Sequence, residues 1–278
     1  MQFRILKFIL SYFLILMFLS CSGGDEVKNK VYYNSINDVS TEAWKELSQK
    51  TIYFGHQSVG FNIIDGINDL KKENPNISLN IVEIKTPDEM EKHVFAHSRI
   101  GANNDPSQKI TDFKKYIENG VGDKANIAFL KFCYVDIHKD SDTAKVFSDY
   151  NKMILDVQKE FPKTTFVHFT VPLTVSKTNW KTWFKKTMGK GELWEINDNI
   201  KRNEYNELVI NQYDKKEPVF DLAKIESTDN ENNRVSFSYK DKTYYSMFPG
   251  YTNDGGHLNE NGRKKIAEQL LLFLINLN

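Results

Sequence analysis

A three-layer α/β domain built on a mostly parallel sheet is predicted by two observations. Short apolar runs alternate with segments whose apolar residues recur at helical spacing. One run, Ala125 to Val135, is almost continuously apolar, as expected of a central parallel strand covered on both faces.

The elements follow in order. Ser40 or Thr41 can cap a short helix through Leu47. Thr51 to Gly55 reads as a strand. Phe61, Ile63, Ile64, Ile67 and Leu70 mark a helix that stops at Asn74-Pro75. Leu79 to Ile84 alternates like a second strand. Ile110, Phe113 and Ile117 mark a helix ended by Gly120. After the Ala125 to Val135 strand, Val146, Tyr150, Ile154 and Val157 form a helix that stops before Pro162. Thr165 to Val171 is a strand, Ile200 to Tyr213 a helix, Pro218 to Leu222 a strand, and Ile266 to Leu274 the last helix. Val235, Phe237 and Tyr239 alternate, and Lys240-Asp241-Lys242 can turn a hairpin.

The chain has 278 residues, 40% of them hydrophobic, enough for one large domain or at most two. Lys+Arg and Asp+Glu are 37 each, so no basic field exists to hold nucleic acid by counterion release. Residues 1–20 read as a lipoprotein signal peptide. Arg4 and Lys7 precede the apolar stretch Phe8 to Leu19, which is short for a spanning helix. The run Phe18-Leu19-Ser20-Cys21 resembles a bacterial lipobox, which implies a lipid-bearing Cys21 and a place in the cell envelope, anchored to a membrane. A plain signal peptide with a chance cysteine is the other reading. Residues 21–35 form a polar tether, and 36–278 the folded domain. With Cys21 lipidated, Cys133 has no partner, so no disulfide is expected.

Loops at the carboxyl ends of parallel strands converge on one edge of the sheet, where ligands bind. Three loops there carry chemistry. Ser58, in Gly55-His56-Gln57-Ser58-Val59-Gly60, follows the first strand, and Gly60 is expected to let the chain turn tightly. Backbone N–H groups at the start of the next helix can stabilise an oxyanion. Arg99 to Pro106 follows the second strand. Asp254 and His257 stand three positions apart ahead of the last helix. Together they permit a Ser-His-Asp arrangement, with His257 taking the serine proton and Asp254 fixing the imidazole tautomer. Taken singly, Ser58 reads as a helix N-cap, His257 as a surface or capping histidine and Asp254 as a turn residue. His56 is either a group beneath the serine or a core histidine bonded to backbone. His93 and His97 share one face of a predicted helix turn, but Glu89-Met90-Glu91-Lys92 completes no ligand set, so no metal is expected.

These residues resemble the SGNH/GDSL hydrolase family over roughly Ile52 to Leu274. Asp254-Gly255-Gly256-His257-Leu258-Asn259 matches block V, and Ser58 occupies the block I position with His56-Gln57 in place of Gly-Asp. Arg202-Asn203-Glu204-Tyr205-Asn206 and the following strand resemble the family's late helix and strand. The resemblance implies a flavodoxin-like α/β/α fold, Ser58, His257 and Asp254 as catalytic residues, and no cofactor. It also implies an oxyanion hole made by the Ser58 N–H and a block II glycine, for which Gly101 is the candidate. Block III departs from the pattern. In Lys131-Phe132-Cys133-Tyr134-Val135-Asp136, Val135 stands where the oxyanion-hole Asn belongs, and Asn103 or Asn104 is the substitute donor. Two aromatic-rich insertions, Ser176 to Asn197 with Trp180, Trp183, Phe184 and Trp194, and Arg234 to Tyr251, suit sugar rings or simply pack onto the domain. The expected function is an esterase that deacylates a carbohydrate or other polar ester. A sugar O-acyltransferase and a non-catalytic glycan-binding lipoprotein on a decayed hydrolase fold stay open.

Overall fold

Five parallel strands form the central sheet: β1 (Ile52–His56), β2 (Ile81–Glu83), β3 (Phe95–Arg99), β4 (Ile127–Leu130) and β5 (Thr165–Phe166), in the spatial order β2-β3-β1-β4-β5. This is a computed structural model that describes residues 31–176 and 194–277. The expected strand Thr165 to Val171 is broken at Val167. Its second half, β6 (His168–Phe169), pairs in parallel with β7 (Val219–Phe220) and carries the layer one strand further. Apart from the edge strand β2, the strand met second lies beside the first, and the rest follow in chain order on the other side. That is the flavodoxin-like order, with its switch point at β1.

Seven helices are used below: α1 (Thr41–Ser48), α2 (Val59–Glu73), α3 (Pro106–Tyr116), α4 (Thr143–Glu160), α5 (Trp194–Tyr213), α6 (Leu222–Ser227) and α7 (Glu260–Asn276). Alternate side chains of β1 and β4 sort the two cores. Ile52, Phe54, Ile127 and Phe129 pack with Trp44, Ile63, Ile67, Leu222, Ile266 and Leu270, from α1, α2, α6 and α7. Tyr53, Ala128 and Leu130 pack on the opposite face with Phe113, Met153, Val157, Tyr205 and Val209, from α3, α4 and α5. The result is three layers, α/β/α. The folded unit begins at Tyr33, whose N–H is donated to Asn276 Oδ1 at 3.0 Å, slightly before the expected end of the tether. The signal segment, Cys21, and Trp180, Trp183 and Phe184 lie outside the described residues.

Several elements differ from expectation. The segment read as a helix turn around His93 and His97 is β3, the neighbour of β1 on the sheet. Its Phe95 and Ala96 are ordinary buried strand residues. Its polar positions are satisfied by partners distant in sequence: His97 Nδ1 meets His56 Nε2 at 3.1 Å, and the Arg99 guanidinium lies 4.4 Å from the Phe61 ring centroid. His93 sits before the strand at φ 59°. Leu79 to Ile84 shrinks to the three-residue edge strand β2. The Ala125 to Val135 run pairs only over β4, then leaves the sheet in a 3₁₀ turn at Tyr134–Asp136. The hairpin forms as β8 (Ser236–Tyr239) and β9 (Lys242–Tyr245), with Lys240 and Asp241 both at positive φ, as a two-residue turn requires.

Candidate active site

Ser58 occupies the N-cap position of α2 but does not cap it. Its backbone is at φ 48°, ψ −110°, and its side chain makes no capping bond. A non-glycine residue held there costs about 1–3 kcal/mol. The strain aims Oγ away from the helix and at His257, whose Nε2 lies 2.8 Å away. The sharp turn therefore falls on Ser58, not on Gly60 as expected. Gly60 serves another purpose: a Cβ there would run into the His56 imidazole. His56 is completely buried, bonded to His97 and not to backbone, and its Nδ1 has no partner among the described residues. Burial, then the neighbouring His97, holds His56 well below the ordinary imidazole range, so the ring is neutral.

The His257 end is a self-contained turn. Asp254 Oδ2 lies 2.7 Å from His257 Nδ1. Asp254 Oδ1 accepts N–H bonds from Gly256 at 2.9 Å and His257 at 2.8 Å, and Thr252 Oγ1 lies 3.2 Å away. Burial would push the Asp254 carboxyl up, but the two N–H groups and the imidazole outweigh it and hold the group far below its usual range. Ionised Asp254 fixes the proton on Nδ1 and leaves Nε2 bare, ready to accept the Ser58 hydroxyl proton. Asn259 Oδ1 caps α7 at the N–H of Gly262, which ends the turn. The Tyr134 ring packs edge-on to His257, centroids 5.6 Å apart, and a Cβ on Gly256 would come within 2.8 Å of that ring.

The loops opposite are cross-braced. Asp136 Oδ2 accepts from the N–H of Cys133 at 2.6 Å and from the buried Lys109 Nζ at 2.5 Å, and its Oδ1 accepts from the N–H of Asn104 at 2.9 Å. Gln57 Nε2 donates to Gly101 O at 2.9 Å. The expectation for Gly101 fails here: its N–H is donated to Asp112 Oδ2 at 2.9 Å and is not free for an oxyanion. The Ser58 N–H has no acceptor among the described residues. Asn103 Oδ1 accepts from Lys109 Nζ at 3.2 Å, which orients that amide, while Asn104 lines the cavity described next.

A cavity of about 350 Å³ adjoins the turn. It is lined by Asn104, Tyr134, Val135, His138, Thr174, Val175, Asp198, Arg202 and Asp254 to Gly256. Motif reading did not find Tyr134, Asp198 or Arg202 as site residues. The one available signal was the i, i+4 spacing of Asp198 and Arg202 on α5.

No family model and no curated protein matches the chain. Among solved structures it is similar to an acetyl xylan esterase at 19% identity, covering 79% of this chain and 96% of that one, with a TM-score of 0.44. It is also similar to the lipase/acylhydrolase from Enterococcus faecalis, at 13% identity over 80% and 93% of the two chains and a TM-score of 0.44. A third is the periplasmic domain of the Salmonella ser. Paratyphi A lipopolysaccharide acetyltransferase, at 12% identity over 84% and 87%, with a TM-score of 0.44. What these residues can do follows from their own geometry.

Proposed function

We propose that the protein is a serine hydrolase that deacylates esters of a carbohydrate or another polar alcohol. The observation that carries this is the unbroken chain from Ser58 Oγ through His257 to Asp254, at 2.8 and 2.7 Å. Ser58 Oγ attacks the acyl carbonyl while its proton passes to His257 Nε2. The tetrahedral oxyanion is held by the Ser58 N–H and by an amide of Asn103 or Asn104. His257 then gives the proton to the leaving alcohol oxygen, which departs. Water, deprotonated by the same imidazole, attacks the acyl-serine, and the acid is released. A second alcohol in place of water would make the same site an acyltransferase. The N-terminal pattern supports a lipid anchor on Cys21 that holds the enzyme at the cell envelope.

A second reading is favoured by Val135 and by the engaged Gly101 N–H. Two donors of the family's oxyanion hole are missing, as in a glycan-binding module that has lost catalysis. Labelling with a fluorophosphonate separates the two. The purified domain is expected to label at Ser58 and to hydrolyse a short aryl ester, with Ser58→Ala silent in both assays. An unlabelled wild type whose ester turnover equals that of Ser58→Ala sinks the hydrolase reading.

A further inference from the structure

The cavity beside the His257 turn contains a cation that is not fully used. Arg202 is 4% exposed at its side chain. Its Nε donates to Tyr134 O at 2.8 Å and Ile137 O at 3.1 Å, and its Nη1 to Thr174 Oγ1 at 2.8 Å and Asn199 Oδ1 at 2.9 Å. Nη2 has no hydrogen bond among the described residues. Its nearest anion is Asp198 Oδ2 at 3.7 Å, too long for one. Nη2 is therefore free to donate into the cavity that Arg202 lines. Asp198 Oδ1 accepts from the N–H of Lys139 at 2.8 Å, which fixes its carboxylate at the cavity wall. Donors on Nη2 and an acceptor on Asp198 thus stand side by side.

We propose that this cavity is the alcohol subsite of the hydrolase, and that Arg202 Nη2 and the Asp198 carboxylate together grip neighbouring hydroxyls of a neutral sugar ring. Its assignment to the alcohol half rests on the hydrolase reading; the sugar-binding site itself does not. Three observations select this ligand. A hydroxyl both donates and accepts, so adjacent hydroxyls fit a paired guanidinium and carboxylate. The volume of about 350 Å³ equals roughly a dozen waters at about 30 Å³ each, room for one sugar ring. Two carboxylates, Asp198 and Asp254, line the cavity with one guanidinium, which disfavours an anionic ligand although a lone arginine would invite one. Arg202 stays charged at neutral pH, since burial lowers it only to about 10. The cavity also borders the turn that carries His257, and the leaving alcohol must lie beside the imidazole that protonates it.

The test is binding, so it does not depend on turnover. Ser58→Ala protein is titrated by NMR with methyl glucopyranoside, galactopyranoside, mannopyranoside and xylopyranoside, with their fully O-methylated forms, and with methyl glucuronopyranoside. At least one neutral pyranoside is expected to bind and to shift the amides of Thr174, Asp198, Gly255 and Gly256. Its O-methylated form and the uronoside should bind more weakly. Asp198→Asn, which keeps a carbonyl for the Lys139 N–H, should weaken binding about tenfold, the loss of one charge-assisted hydrogen bond. Absence of pyranoside binding, shifts confined to another surface, a tighter uronoside, or an unaffected Asp198→Asn would each overturn the proposal. Binding without any ester hydrolysis by the wild type would instead remove the hydrolase reading and leave the sugar site. Hydrolysis without pyranoside binding would do the reverse.

Discussion

The two walls of the site are built in different ways. The His257 wall closes on itself within a few residues: Thr252, Asp254, Gly255, Gly256 and His257 bond one another, and Asn259 starts the next helix. The opposite wall is assembled from distant segments. Gln57 reaches Gly101, Asp136 reaches Asn104 and Lys109, and Asp112 takes the Gly101 N–H. A local wall can be read from spacing. A composite wall cannot, because which donor remains free depends on which acceptor folds beside it.

The largest expected effect tests the proton chain that spans both walls. Ser58→Ala should abolish labelling and lower turnover by about 10⁴-fold or more, and Asp254→Asn by about 10⁴-fold, since an amide orients the wrong imidazole tautomer. Steady-state kinetics on an aryl ester checks both. An Asp254→Asn variant within tenfold of wild type would mean that the local wall has no part in proton transfer.

Next comes the brace of the composite wall. Asp136→Asn leaves Lys109 buried without its counter-ion, because both side chains are fully buried in the wild type. The expected loss is about 3–5 kcal/mol of unfolding free energy, read by urea denaturation. A loss below about 1 kcal/mol would show that the wall does not depend on this pair.

A smaller effect on turnover is expected from the substitute donors. Asn103→Ala or Asn104→Ala should lower kcat by about 10²–10³-fold with KM nearly constant, the signature of a donor used only in the transition state. If both variants keep full kcat, the oxyanion is held by other groups.

What could be read from the sequence follows the same division. The α/β order, the hairpin at Lys240-Asp241 and the Asp254–His257 spacing are local patterns, each set by residues within a few positions of one another. The strand Phe95–Arg99 is obscured because His97 is buried though polar and the charged Arg99 ends the strand exposed. His97 is held by His56 of β1, and Arg99 by the Glu83 carboxylate of β2 and the Phe61 ring of α2, all distant in sequence. Gly101 was misjudged for the same reason: Asp112, eleven residues on, occupies its N–H. Arg202 and Asp198 were missed as site residues because an i, i+4 pair on a helix usually marks a solvated face. Here the pair faces a cavity.

The last expected effect is on stability alone. Glu226, in α6, is fully buried. One oxygen accepts the Leu173 N–H at 2.9 Å, and the other has no partner among the described residues. Burial, opposed by the Leu173 N–H and by Lys131 and Arg202, raises its carboxyl to about 8. The folded state therefore keeps a proton that the unfolded chain releases above an ordinary pKa of about 4.3. Where the folded state binds more protons, stability falls as pH rises. The loss should begin near the unfolded value and level off above about pH 8. Glu226→Gln keeps an acceptor for Leu173 and cannot ionise. Its unfolding free energy should match wild type near pH 4 and exceed it by a few kcal/mol above pH 8. Urea unfolding of both proteins from pH 4 to pH 9 provides the check. Parallel stability curves would mean that Glu226 is ionised in the folded state and that Lys131 and Arg202 are its counter-ions, which would make this region a network of paired charges behind the wall.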